Sequence, residues 1–170
     1  MISQVTDRQL APQLAQLGVT SFTEKFGHLY KPEDLNSFLK DNHTPEHYEK
    51  LIVHPGTSVW VAQSASAELI GYSVCGPCSS PIPVDAKNPG ELKRLYLLPD
   101  YTRSGIGSKL MEPSMQWLEE RYNDIFVSVY SENEQAIRFY ERFGFKKIIR
   151  YYFMVGRQPD LEYIMKKSSP

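Results

Sequence analysis

The feature that most constrains the fold is a glycine-bearing turn between a predicted strand and a predicted helix. The turn reads Thr102-Arg103-Ser104-Gly105-Ile106-Gly107-Ser108. The strand Glu91–Leu98 precedes it, a helix from about Ser104 to Tyr122 follows, and Ile125–Tyr130 is typical of a buried strand. A strand, a crossover helix and a second strand in this order predict two parallel neighbours in one sheet.

The other elements predict an α/β (α+β) fold with a mixed, mostly antiparallel sheet of six to seven strands flanked by helices. Three helices come first, and the third is marked by Thr44 as N-cap and Pro45 at its first helical position. Residues 76–90 are rich in proline and glycine and predict a loop. The remaining predicted strands are Ile2–Thr6, Ser58–Gln63, Leu69–Cys75, Phe145–Phe153 and Leu161–Lys166.

Length and composition bound the class of protein. The chain has 170 residues, of which 41% are apolar, and this predicts a single globular domain, residues 1–170. A net charge of −1 argues against nucleic acid or an anionic membrane as a partner. No signal peptide or bilayer-spanning run is evident, and two cysteines favour a reducing compartment. We therefore expect a cytoplasmic protein.

The glycine turn suits a ligand that carries phosphate. Glycines let the backbone approach a ligand closely, and the free N–H groups at a helix N-terminus attract anions. A plain tight turn that uses glycine for steric reasons is the alternative. A P-loop would need lysine straight after its last glycine, where Ser108 stands, and a dinucleotide-binding turn would need a third glycine at Leu110. Neither of these two motifs fits.

Two motifs resemble the signatures of the GNAT superfamily of N-acetyltransferases. The first, (Gln/Arg)-x-x-Gly-x-(Gly/Ala), matches Thr102–Gly107, with threonine in place of Gln or Arg. The second, Asn-x-x-Ala-x-x-Phe-Tyr-x-x-x-Gly-Phe, matches Asn133–Phe145 at every defined position. The resemblance covers roughly Val59–Lys166. It implies an acetyl-CoA-binding core at residues 58–167 and a helical acceptor-side region at residues 1–57.

The resemblance also implies which residues bind acetyl-CoA as co-substrate. The amides from Thr102 to Ser108 would bind its pyrophosphate, so the unusual threonine matters little. Asn133 would bind the pantetheine arm. The backbone of one strand would bind the pantetheine amides, through Leu95, Tyr96 and Leu97.

Two residues are candidates for proton transfer. An alkyl amine has a pKa near 10, so about one molecule in a thousand is neutral at pH 7, a cost of ~4 kcal/mol. In several GNAT enzymes a glutamate at the spacing of Glu91, eleven residues before Thr102, is the general base. Tyr140 would return a proton to the departing CoA thiolate. The plain alternatives are a strand-end carboxylate beside Lys93 for Glu91 and a helix core residue for Tyr140.

The acceptor is less constrained by the sequence. Phe22, Glu24, Phe26 and Tyr30 would form an aromatic and acidic wall that suits a cationic amine, although a core stripe with solvated charges explains them equally. The N-terminal pattern and the ending Phe153–Met165 are similar to bacterial spermidine/spermine acetyltransferases, which makes a polyamine the leading acceptor. A protein or peptide amine, or a non-catalytic CoA-binding sensor, stays open. Dimers are common in that superfamily, so a homodimer also stays open.

Two further patterns do not support a metal site. His43 and His47 match an H-x-x-E-H motif, but Pro45 starts a helix between them, so the two rings do not share a helical face. Cys75 and Cys78 form a single C-x-x-C with no second pair. We therefore predict no metal.

Overall fold

A computed structural model describes residues 1–168, in which seven strands form one sheet with helices on both faces. The last two residues of the predicted domain lie outside these. The strands are β1 (Ile2–Gln4), β2 (Ser58–Gln63), β3 (Leu69–Pro77), β4 (Pro89–Leu97), β5 (Asp124–Tyr130), β6 (Phe145–Val155) and β7 (Gln158–Lys167). The α-helices are α1 (Ala11–Phe26), α2 (Pro32–Asn42), α3 (Pro45–Val53), α4 (Ile106–Glu119) and α5 (Glu134–Arg142). The predicted fold class is confirmed.

Within residues 1–168 the strands lie in the order β1-β2-β3-β4-β5-β7-β6, and only β4 and β5 pair in parallel, as the central motif predicts. Their pairing begins at Pro89 and Asp124 and stops at Leu92 and Val127, although β4 continues to Leu97 and β5 to Tyr130. Beyond the last pair the two strands diverge. The edge of β4 that faces β5 therefore keeps backbone groups without strand partners.

The two faces of the sheet are covered by different helices. On one face, Leu14 of α1 and Tyr48 of α3 pack against Val61 and Tyr72. On the other, α4 and α5 bury a cluster that includes Met111, Leu118, Val127, Ile137 and Tyr140. Each fully buried aliphatic or aromatic side chain of this kind stabilises the fold by about 1.5–3 kcal/mol.

A bulge in β4 decides which of its side chains face which helices. Val74 pairs with Arg94 and the next residue, Cys75, pairs with Leu92, so Lys93 is an extra residue in the strand. Leu92 and Leu95 both pack on the α4 face. Without the extra residue these two side chains would point to opposite faces, so the bulge sets Glu91 and Arg94 together on the face of α1 to α3.

Local capping explains where several helices begin and end. Thr44 Oγ1 accepts the His47 N–H at 3.2 Å, which confirms the predicted N-cap of α3. The sequence Ser131-Glu132-Asn133-Glu134 predicts a capping box with Ser131 as the N-cap of the following helix, and this prediction is wrong. The N-cap of α5 is Asn133, whose Oδ1 accepts the Ala136 N–H at 3.3 Å and so satisfies a helix-start donor itself.

Three predicted boundaries also differ from the structure. Helix α4 begins at Ile106 because Gly105 has φ +82°, outside the helical range. The predicted loop at 76–90 is shorter, since β3 and β4 extend into it from both sides. The final two strands are joined by a turn at Gly156 and Arg157 alone, so Asp160 lies inside β7 and is buried.

Candidate active site

A cavity of about 470 Å³ opens where β4 and β5 diverge, and the three N-terminal helices cover it. Its volume suits a small ligand. The residues that line it include both predicted catalytic residues, Glu91 and Tyr140, and some of the predicted binding residues, namely Leu95, Tyr96, Asn133, Phe22, Phe26 and Tyr30.

Other predicted site residues lie away from this cavity. Leu97 packs beside Leu110 on the α4 face. Glu24 is exposed on α1 and is not part of the cavity wall. The turn from Thr102 to Ser108 is a separate surface feature at the start of α4. The structure therefore places the predicted diphosphate turn outside the cavity that holds the predicted catalytic pair.

The geometry of the glycine turn fits a diphosphate. A Cβ on Gly105 would meet no atom within 4 Å, so the backbone there is open to a ligand. The first amides of α4, from Ile106 to Ser108, have no acceptor within the helix and carry the positive end of its dipole. The Thr102 side chain donates instead to the Pro99 carbonyl at 2.8 Å, which agrees with a site that works through backbone amides.

Glu91 is buried, with 4% of its surface exposed, and its carboxylate is held by several donors. The N–H and hydroxyl of Ser79 donate to Oε2 at 2.9 and 3.2 Å, and the Ser80 hydroxyl donates to Oε1. Lys93 Nζ lies 3.5 Å from Oε2. Glu91 is therefore not an exposed strand-end carboxylate, because these groups fix its orientation and compensate its charge.

Tyr140 reaches the cavity from the opposite face of the sheet. It belongs to the core cluster under α4 and α5, and its ring packs 6.0 Å from that of Phe145. Burial, with a smaller effect of Tyr96, raises the pKa of Tyr140 above its ordinary value. The phenol therefore keeps its proton at neutral pH and has one to donate.

Glu162 is a cavity residue that the sequence did not identify. It lies on β7 and accepts a hydrogen bond from Tyr151 Oη at 2.9 Å. Burial, followed by the nearby charges of Asp160 and Glu91, raises the pKa of Glu162 to about 7, although the Tyr151 bond opposes the shift. Acidic residues in a predicted strand were the available signal, but only the register of β6 and β7 places Glu162 opposite Tyr151.

Arg94 is another charged cavity residue that the sequence did not identify as part of the site. Its Nη1 is buried without a hydrogen-bond partner, and no acidic side chain of residues 1–168 forms a salt bridge with it. Nη2 lies 3.3 Å from His47 Nε2, and the guanidinium lies 5.2 Å from the Tyr48 ring centre. Burial first, and then the charge of Arg94, lowers the pKa of His43 to about 3 and that of His47 to about 4.

The histidines and cysteines make ordinary structural contacts. His43 Nδ1 bonds to Tyr48 Oη at 2.9 Å, Cys75 is buried, and both cysteines are free. Burial raises the pKa of Cys75 to about 12. Among residues 1–168 no cluster of three or more potential metal ligands is present. Within the same residues, every helix is too short or too polar to cross a bilayer.

Comparison with known proteins agrees with this architecture. Residues 20–145 match the model of the Acetyltransferase (GNAT) family. An uncharacterised N-acetyltransferase of Lactobacillus delbrueckii subsp. lactis is 24% identical over 98% of this chain and 96% of its own length. An N-alpha-acetyltransferase of Sulfurisphaera tokodaii is 35% identical over 71 residues, 39% of this chain and 42% of its own.

A solved structure shows the same fold. The PaiA N-acetyltransferase of Thermoplasma acidophilum in complex with coenzyme A has a TM-score of 0.76 and 21% identity, over 99% of both chains. The family model spans well over half of the sequence and therefore establishes the family. The PaiA structure supports the fold. The chain belongs to the GNAT family and is an acetyl-CoA-dependent N-acetyltransferase.

Proposed function

We propose that the protein acetylates a primary amine of a polyamine by direct attack of the amine on acetyl-CoA, without a covalent enzyme intermediate. One observation carries the proposal: Glu91 and Tyr140 line the same cavity from opposite faces of the sheet, where β4 and β5 diverge. A carboxylate on one side and a phenol on the other are the groups that amine attack and thiolate departure require.

The residues that would hold acetyl-CoA lie at the start of α4, along β4 and in the cavity. The open amides at the start of α4 bind the pyrophosphate, and the unpaired edge of β4 at Leu95, Tyr96 and Leu97 binds the pantetheine amides. Asn133 lies at the cavity, where its Oδ1 caps α5, and its amide nitrogen is the group offered to the pantetheine arm. Acetyl-CoA supplies the activated acetyl group.

Glu91 and Tyr140 have separate roles in this proposal. Glu91 accepts the proton that the ammonium loses when it becomes a nucleophile, and its fixed orientation lowers the reorganisation required. Tyr140 donates its proton to the sulfur as the thioester bond breaks. Tyr140→Phe should lower kcat by about 10-fold or more while coenzyme A affinity is unchanged, measured by thiol release and calorimetry. Unchanged turnover would reduce Tyr140 to a packing role.

The acceptor end of the cavity supports a cationic amine. Asp160 and Glu162 line it together with Glu91, and Tyr30 Oη donates a hydrogen bond to Asp160. The rings of Phe22 and Phe26 line the same cavity, 5.2 Å apart between centres. Aromatic faces and carboxylates attract ammonium groups and accommodate methylene chains, which is the chemistry of a polyamine.

A second acceptor class is favoured by a different observation. Arg94 lines the same cavity, and its buried Nη1 has no hydrogen-bond partner in the part of the chain that the structure describes. Such a donor suits a carbonyl or carboxylate. A peptide N-terminus carries an amine and a carbonyl close together. The relative named N-alpha-acetyltransferase makes this candidate worth testing against the polyamine.

Thiol release from acetyl-CoA, measured with a panel of polyamines, monoamines and short peptides, separates these proposals. Polyamine acetylation with the highest kcat/KM is the expected result. A preference for peptides would support the second acceptor class. Tight coenzyme A binding with no acetylation of any amine would leave a CoA-binding sensor and overturn the proposed function.

A further inference from the structure

A row of three hydroxyl groups connects Glu91 to Glu162, and we call Ser80, Ser128 and Tyr151 the hydroxyl chain. The Ser80 hydroxyl lies 2.5 Å from Glu91 Oε1 and 2.9 Å from Ser128 Oγ. The Tyr151 hydroxyl lies 3.2 Å from Ser128 Oγ and 2.9 Å from Glu162 Oε2. Every step is within hydrogen-bonding distance, so the two carboxylates are joined without a gap.

The hydroxyl chain depends on tertiary structure. Ser80 lies in the segment between β3 and β4, Ser128 on β5, Tyr151 on β6 and Glu162 on β7. Tyr151 and Glu162 are direct cross-strand partners. All of these residues line the cavity that holds Glu91. Three strands and a loop thus place one polar side chain each in a single line.

The number of protons in this line is informative. Four oxygen–oxygen contacts join the two carboxylates, but the three hydroxyl groups carry one hydrogen each. When Glu91 and Glu162 are both ionised, neither can donate, so one contact has no hydrogen between its oxygens. One added proton supplies the missing hydrogen. The hydroxyl chain and its two carboxylates can therefore accept one proton and then have a hydrogen in every contact.

The added proton is held more favourably at Glu162 than at Glu91. Glu91 accepts two hydrogen bonds from Ser79 and forms an ion pair with Lys93, and these contacts compensate its negative charge. Glu162 receives only the Tyr151 hydroxyl among residues 1–168 and lies near Asp160. Its raised pKa, about 7, agrees with this difference in surroundings.

We propose that Glu162 is the terminal proton acceptor of the acetyl transfer, and that it receives through the hydroxyl chain the proton that Glu91 takes from the amine. This inference rests on the proposed function. The ammonium loses two protons as the N–C bond forms and the C–S bond breaks. One moves to Glu162 and later to solvent. Tyr140 gives its own proton to the coenzyme A sulfur, and the second amine proton restores the phenol.

The test interrupts the hydroxyl chain and leaves both carboxylates in place. Tyr151→Phe and Ser128→Ala each remove one oxygen, and Tyr152→Phe is the matched control, since Tyr152 is 67% exposed on the same strand. The kcat/KM of the wild type should rise with pH through a midpoint near 7, because Glu91 and Glu162 must both be ionised before the hydroxyl chain can accept a proton. Both interrupting variants should lose about 10-fold in kcat and shift that midpoint by at least about one pH unit, while KM stays within about 3-fold.

The possible outcomes separate the two proposals. A wild type that acetylates no amine overturns the proposed function, and the proton path with it. An active wild type whose pH midpoint is unchanged in Tyr151→Phe and Ser128→Ala overturns only the proton path. Carbon-13 NMR of the glutamate carboxyl groups provides a measurement without variants: Glu162 should titrate near pH 7, and full ionisation at pH 5 would contradict the proposal.

Discussion

The two ends of the cavity treat buried charge in opposite ways. At the carboxylate end, defined by Glu91, Asp160 and Glu162, hydroxyl and amide donors contact every acidic side chain. The arginine end is defined by Arg94, His43 and His47. Among residues 1–168 the buried Nη1 of Arg94 has no hydrogen-bond partner, and burial keeps the two histidines neutral. Protein donors compensate the charges at the carboxylate end. At the arginine end, no acidic side chain of residues 1–168 pairs with Arg94.

This difference has a physical consequence for ligands. Polar groups buried without partners cost several kcal/mol unless a ligand or water satisfies them. The carboxylate end already holds its charges in place and can attract an ammonium with little rearrangement. The arginine end gains most from a carbonyl or an anion. The acceptor preference therefore depends on which end contributes more to the free energy of acceptor binding.

The largest expected effect is at the carboxylate end. Glu91→Gln keeps the shape but removes the proton acceptor, so kcat/KM should fall by about 100-fold, equivalent to ~2.7 kcal/mol. Glu68→Gln, at an exposed position, is the control. Steady-state kinetics across pH measure the effect. Equal activity of the two variants would remove Glu91 from the mechanism.

The neutral histidines of the arginine end predict acid sensitivity. Their folded pKa values lie below the unfolded value of about 6.5, so the unfolded state binds more protons between pH 6.5 and 4. This contribution to stability is complete above pH 6.5 and is lost as the pH falls. We expect the free energy of unfolding to drop by about 2 kcal/mol over that interval.

Urea unfolding at several pH values measures this loss. His43→Gln should flatten the dependence on pH, whereas His28→Gln, at an exposed position, should leave it as in the wild type. The quantity compared is the slope with pH, so a general loss of stability in His43→Gln does not obscure it. An equal slope in all three proteins would contradict the assignment.

Arg94→Met tests which acceptor uses the arginine end. It removes the charge and keeps a long side chain, so a polyamine should bind as well or better. The KM for a peptide acceptor should rise by about 10-fold, ~1.4 kcal/mol, because a donor to its carbonyl is lost. Arg150→Met, at an exposed position on β6, is the control. A polyamine KM that rises with the peptide KM would show that Arg94 does not discriminate.

The smallest expected effect concerns stability at the carboxylate end. The folded pKa of Glu162 is raised, so its neutral form is favoured in the native state and ionisation above pH 7 destabilises it. Glu162→Gln should therefore raise the unfolding free energy by about 1 kcal/mol at pH 8 and leave it almost unchanged below pH 4.5. Thermal melts at both pH values measure this. A larger gain at the lower pH would reverse the assigned sign.

Much of the fold followed from local chemistry. The glycine turn predicts the helix that follows it, although α4 begins two residues later than expected, and Thr44 predicts the N-cap of α3. Gly144, just after α5, adopts a left-handed conformation that glycine favours, with φ +87°. The pairing of β4 with β5 follows from the crossover helix. The predicted capping box is wrong because Asn133, two residues after Ser131, is also a good N-cap and accepts a helix N–H group. A local sequence pattern does not show which of the two residues caps the helix.

The sequence by itself determined the family motifs, the order of the elements and the presence of Glu91 and Tyr140 as candidates, because these depend on residues close together in the chain. Only the tertiary structure decided that Ser80, Ser128 and Tyr151 link Glu91 to Glu162. It also decided that Arg94 is buried without a salt-bridge partner among the described residues 1–168. Strand register and the bulge at Lys93 select which side chains share a face. Those choices depend on contacts between distant segments, which no local pattern encodes.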